Sequence, residues 1–298
     1  TDTAGSGRVP AALNGVVGFK PSRGLISTVG LVPACRSLDC ISVMAGSVDD
    51  ADRVLDVVAG RDDGDPWSRD RGPAYDDSEP LRIGLPPVAE LEFFGDGAMR
   101  SAHLALRDRL GRHGSVHEIS LAPFLAAGEL LYQGPWVAER LVEFGDFLDR
   151  HAEEIHPVVR AIFEGGRHYT AVDAFAALQQ LQALRAEVAR IWLDADVLVV
   201  PTVGTTFTVA EVLADPVETN TRLGHYTHFG NLLDLVGLAV PAGTTADGRP
   251  SGALLLGAAQ TDDRVLELGA RLLDEPRDRR RMTATTGTTA TDPVEERL

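Results

Sequence analysis

The chain is 298 residues long, 44% hydrophobic, and carries a formal net charge of −16. That length allows one large domain or two small ones with a sizeable core, and the apolar content excludes a disordered chain. The acidic excess argues against nucleic acid and anionic membranes as partners, and no apolar run is long enough to span a bilayer.

Residues 9–14, "VPAALN", read as a helix start with Pro10 in the first turn, where proline is tolerated. "GVVGF" (15–19) reads as a short buried strand and "KPSRG" as a turn. "LDCISVMAGS" (38–47) reads as a second buried strand running into a turn. Residues 47–60 form a helix in which Ser47 caps, acids fill the first turn and Gly60 stops it. Residues 60–80, rich in Asp, Gly and Pro, read as a solvated loop, because the calcium spacing of an EF-hand is absent. "LRIGLP" (81–86) is a strand, 97–112 a helix and "SVHEISL" (115–121) a strand.

A helical region covers about 123–193. In its last part Phe175, Leu178, Leu181, Val188 and Ile191 recur at helical spacing, which predicts core packing. "ADVLVVPT" (195–202), "VGLAVPAG" (236–243) and "GALLLGA" (252–258) are buried strands, and 262–275 is the last helix. Residues 276–298 lack apolar periodicity and read as a disordered tail. Continuously apolar strands alternating with helices predict an α/β fold whose sheet is covered on both faces. Ligands in such folds sit beyond the carboxyl ends of the strands, so the turns after "VLVVP" and "GLAVP" are candidate pocket walls.

Two cysteines, Cys35 and Cys40, make neither a disulfide scaffold nor a zinc site, and they suit a reducing cytoplasm. Of 28 basic residues only Lys20 is lysine. His225 and His228 in "GHYTHFGN" read as pocket wall or core rather than as metal ligands. No metal or cofactor is expected.

The opening "TDTAGSGRVP" places Ser6 between glycines. A serine so placed is commonly a turn residue. Here the small residues before it let backbone N–H groups approach a ligand, and the following helix start adds free N–H groups and a positive dipole end, a layout that can hold an oxyanion. The G-x-S-x-G elbow is absent, since position 4 is Ala4. A Ser-His-Asp triad stays open, because eight histidines are present without a recognisable partner motif.

"TDTAGSGRVPAALNGVVGFKPSRG" resembles the signature segment of the amidase signature family, serine hydrolases of amides that use Ser–cis-Ser–Lys chemistry on a mixed sheet. The resemblance implies that Ser6 is the acyl-accepting nucleophile. The backbone N–H groups of Thr3, Ala4, Gly5 and Ser6 would form the oxyanion hole, and Asp2 and Arg8 would support the loop as a pair. Over nearly the whole chain, "STVGLVPACRSLDCISV", "LYQGPWVAER" and "NLLDLVGLAVPAG" resemble the allophanate hydrolase branch, which implies a small anionic amide substrate in urea breakdown. It also implies substrate contacts from Tyr132 and Arg140. Arg offers a planar fork to a carboxylate and Tyr a hydroxyl on a rigid ring. Eight residues are near two helical turns, so both could face one pocket, although Pro135 requires a helix start or bend between them.

The family's bridging serine and lysine lie upstream of the signature serine, and these 298 residues contain no matching Gly-Ser-rich segment. Lys20 falls in the "GFKPS" turn and is expected to be structural. Residues 1–275 therefore read as the C-terminal portion of an amidase signature domain, with the chain opening after its activating machinery. A general amidase, the A-type component of a tRNA-dependent amidotransferase, and an inactive fragment remain as alternatives. Association with a urea carboxylase or with a second copy is the expected partnership, in the cytoplasm.

Overall fold

A computed structural model describes residues 1–75 and 80–275. The tail expected over 276–298 lies outside the described residues, as do residues 76–79 of the long loop. In chain order the elements are α1 (Val9–Leu13), β1 (Val17–Lys20), β2 (Val43–Ala45), α2 (Val48–Val58), β3 (Arg82–Leu85), α3 (Gly97–Leu110) and β4 (Ser115–Glu118). They continue with α4 (Ala122–Tyr132), α5 (Trp136–His151), α6 (Pro157–Gly165), α7 (Ala171–Ile191) and β5 (Val197–Pro201). The last group is α8 (Val209–Ala214), α9 (Pro216–Leu223), α10 (His228–Leu232), β6 (Val236–Thr244), β7 (Pro250–Gly257) and α11 (Asp262–Leu272).

Seven strands form one sheet in the order β2-β1-β6-β7-β5-β3-β4. Pairing is antiparallel from β2 across to β5 and parallel through β5, β3 and β4. This is the mixed sheet expected, with helices on both faces, and the strand pleat explains it. Val197 and Val199 of β5, with Leu255 of β7, point to one face and meet Leu55 of α2, Leu106 of α3 and Leu266 of α11. The alternate residues Leu198, Val200, Leu254 and Leu256 point to the other, against Phe124 of α4, Leu181 of α7 and Phe229 of α10. Each such side chain, fully buried, contributes about 1.5–3 kcal/mol relative to exposure.

Several expectations are corrected. The strand read over 38–47 shrinks to Val43–Ala45, and Cys40 makes only an isolated bridge to Asp2. Asp39 turns the chain there by accepting the N–H groups of Ala34 and Cys35 at 2.8 and 3.1 Å, a side-chain bond that competes with sheet pairing. The helical region 123–193 divides into four helices. Pro135 is the N-cap of α5 and Pro157 opens α6, where a missing N–H costs nothing. In α7 the buried seam is Ala177, Leu181, Leu184, Val188 and Ile191. Phe175 and Leu178 fall outside that 3.5-residue repeat and are 66% and 51% exposed, so they are not core.

The acidic loop after α2 is largely solvated, as expected, and is also anchored at a few points. Asp65 accepts the Thr28 N–H and hydroxyl at 2.7 and 2.9 Å, Asp62 accepts the Ser27 hydroxyl, and Arg69 forks onto Asp234 at 2.7 and 2.8 Å. Residues 203–235, to which the sequence pattern assigned no element, hold α8, α9 and α10.

Candidate active site

The loop before α1 is built around Asp2. Its carboxylate is fully buried and accepts Arg8 Nε and Nη2, both at 2.8 Å, in a two-point fork. It also accepts the backbone N–H groups of Gly5 at 2.9 Å and Gly7 at 3.2 Å. Burial by itself would raise the Asp2 pKa. The Arg8 charge and hydrogen bonds outweigh it, so the group is held below its ordinary value and is ionised. The expected Asp2–Arg8 support is therefore a paired charge inside the fold.

Two distant residues complete the clamp. Asn231 of α10 accepts from Arg8 Nη2 at 3.0 Å and donates to the carbonyls of Asp2 and Leu38 at 2.7 and 2.9 Å. Thr227 donates to the Ala4 carbonyl at 2.8 Å. Gly5 is required where it stands. Its φ is +129°, and a Cβ there would lie 2.2 Å from Thr227 Oγ1. On the other flank, Thr3 Oγ1 donates to Asp39.

This scaffold leaves Ser6 exposed on the wall of a cavity of about 640 Å³ that Tyr132, Arg140, Thr227 and His228 also line. The eight-residue spacing predicts that Tyr132 and Arg140 face one pocket, with a helix start or bend at Pro135 between them, and that break is present. The structure puts Tyr132 at the end of α4 and Arg140 in the second turn of α5, and the break between the helices brings them together. The Arg140 guanidinium carbon stands 5.7 Å from the centre of the Tyr132 ring. Arg140 has no carboxylate partner among the described residues, and its buried Nε has no hydrogen-bond acceptor there.

Of the four amides expected to bind an oxyanion, Gly5 donates to Asp2 and is already engaged. The N–H groups of Thr3, Ala4 and Ser6 have no acceptor among the described residues. Helix α1 is five residues long, so loop amides rather than a helix dipole supply the donors here. Lys20 is 1% exposed and donates to the Pro21 carbonyl at 3.1 Å.

His228 lies in the wall, as one of the two readings of "GHYTHFGN" had it. Its ring stands 4.8 Å from Tyr132, and burial, then the nearby Arg8 charge, push its pKa down to about 4, so the imidazole is neutral at neutral pH. His225 packs edge-on against Tyr226 and Phe94 instead. No cluster of three or more metal-ligating side chains occurs among the described residues. Thr227, Asn231 and Asp39 were not foreseen as parts of the site. Their contacts to the loop are long-range, and the only local signal was the polar run within "GHYTHFGN".

A mixed sheet with helices on both faces, and a glycine-held loop that places Ser6 on a cavity wall, define an α/β protein with a candidate hydrolase site. The Amidase family profile matches residues 1–266, and the chain belongs to that family. It is 41% identical over 277 residues to the urea amidolyase of Saccharomyces cerevisiae, covering 91% of this chain and 15% of that one. Crystallographic Kluyveromyces lactis allophanate hydrolase superposes with a TM-score of 0.87 at 37% identity, covering 92% of this chain and 45% of that chain. The A-type component of the glutamyl-tRNA(Gln) amidotransferase of Thiobacillus denitrificans is 32% identical over 302 residues, covering 90% of this chain and 61% of that protein. The chain thus spans less than two thirds of each of these relatives.

Proposed function

We propose that this chain supplies the nucleophile and the carboxylate-binding groups for hydrolysis of allophanate, a small planar anion with an amide at one end and a carboxylate at the other. One observation carries the reading: among the described residues, Arg140 stands without an anionic partner in the cavity that Ser6 lines. Arg140 is partly buried with its Nε shut off from solvent, and a cation so placed gains most when an anion binds it.

In this mechanism Ser6 Oγ attacks the amide carbonyl. Its proton passes to the bridging serine and lysine of the family's chemistry, for which these 298 residues contain no matching positions. The negative oxygen meets the free amides of Thr3, Ala4 and Ser6. The C–N bond breaks, and nitrogen takes up a proton and leaves as ammonia. Water then attacks the acyl-serine, which restores the hydroxyl and releases the acid. Arg140 holds the substrate carboxylate throughout, and Tyr132, set by His228, donates from its hydroxyl. A reaction that carboxylates urea would supply this substrate, which makes a urea carboxylase the fitting partner and the cytoplasm the fitting location. No helix among the described residues is long and apolar enough to cross a membrane.

The test is Arg140→Ala in the complete polypeptide that carries these residues. Loss of a charge-assisted two-point contact is expected to raise KM for allophanate about 100-fold, near 2.7 kcal/mol. A parent-like KM and rate would remove the carboxylate role. A parent protein that prefers neutral amides would instead favour a general amidase or a component of an amidotransferase.

A further inference from the structure

Arg140 has no ion-pair partner among the described residues, although two acids lie close to it along α5. Glu139 precedes it, and Glu143 stands three residues on, the spacing at which helical side chains form ion pairs. Both carboxylates are occupied by one short segment of the chain, residues 35–37. Glu139 accepts the Ser37 N–H at 2.7 Å, the Ser37 hydroxyl at 2.5 Å and the Cys35 thiol at 3.0 Å. Glu143 accepts Arg36 Nε at 3.0 Å and Nη2 at 2.5 Å. Asp39 fixes the segment from behind by accepting the amides of Ala34 and Cys35, and it also accepts the Thr3 hydroxyl. One strip of backbone therefore touches the nucleophile loop at one end and the acids flanking Arg140 at the other.

We propose that segment 35–37 is a specificity element: by occupying Glu139 and Glu143 it keeps Arg140 free to bind the carboxylate of the substrate. This rests on the reading of Arg140 given above. Arg36 is the informative residue, because it is half-exposed and its pair with Glu143 contributes little to stability. Removing Arg36 frees Glu143 to compete for Arg140. The competitor is internal and always present, so it weakens the binding of anionic substrates without altering the chemistry at Ser6. Burial and then the Glu139 carboxylate push the Cys35 thiol up, so Cys35 stays protonated and remains a donor to Glu139.

The experiment compares allophanate with biuret, its neutral analogue, in which an amide replaces the carboxylate, using the complete polypeptide. Arg36→Ala is expected to raise KM for allophanate about threefold with kcat unchanged, to leave biuret hydrolysis unchanged, and to lose this effect as salt is raised. Adding Glu143→Gln to that variant removes the competing charge and is expected to restore the parent KM. An unchanged KM, an equal loss on both substrates, or no restoration in the double variant would overturn the proposal. An unmodified protein that does not favour allophanate over biuret would overturn the functional reading first, and this inference with it.

Discussion

Replacing Asp2 by Asn tests whether a buried ion pair holds the serine loop in shape. Asp2 accepts four hydrogen bonds, from Arg8 Nε and Nη2 and from the amides of Gly5 and Gly7. Asn keeps one acceptor oxygen, enough for Arg8 Nη2 and Gly5. It turns an NH₂ toward Arg8 Nε and Gly7 N–H, so two donors face donors. Arg8, itself fully buried, loses its counter-charge. Breaking one partner of a buried pair costs about 3–5 kcal/mol, which is a large share of a typical domain's stability. Equilibrium urea unfolding, followed by the fluorescence of the three tryptophans, measures the loss. Labelling of Ser6 by a fluorophosphonate in the complete polypeptide measures the loop, and it is expected to slow in parallel. Because the Asp2 pKa is lowered on folding, its contribution is complete above the ordinary carboxylate range and is lost as pH falls through the folded value. The variant's deficit should therefore be constant from about pH 5 to 8. A variant within about 1 kcal/mol of the parent, with Ser6 labelling intact, would refute the idea that the pair organises the loop.

Gly5→Ala should cost about 3 kcal/mol or more, from a positive φ together with a Cβ driven against Thr227, and thermal melting with Ser6 labelling checks it. Buried His103 has no hydrogen-bond partner among the described residues, and burial, then Arg107, lower its pKa to about 3. The unfolded chain therefore takes up that proton first, so stability falls by about 1.4 kcal/mol per pH unit below about 6.5. A His103→Leu variant should lose that share of the slope in urea melts run from about pH 7 to 5, and an unchanged slope would exclude the effect.

The sheet was legible because its central strands are buried on both faces, and continuous apolar runs such as "VLVV" carry that environment openly. The breaks within 123–193 were harder to place, since four helices of similar composition follow one another and only Pro135, Pro157 and the Gly165–Gly166 pair mark the joints. The short helices of 203–235 carry their starts in the sequence. Thr208 and Glu211 form a capping box, and Asp215 caps α9 just ahead of Pro216. Ser6, Tyr132 and Arg140 came from family resemblance, and the structure brings them to one cavity across the helix break that Pro135 signals in the sequence. The role of Asp39 as a brace between two loops has no local signature, because it depends on residues the chain brings together only on folding.

The bonds that finish the serine loop reach very far along the chain. Arg8 meets Asn231 across 223 positions, and Thr227 bonds Ala4 across the same 223. Such non-local closure is slow to form and comes with the global fold rather than ahead of it. At ordinary synthesis rates the ribosome needs roughly 10–45 s to pass from one end of that contact to the other. Through that interval the amides around Ser6 lack these bonds, so the loop takes its folded shape only once α10 has docked.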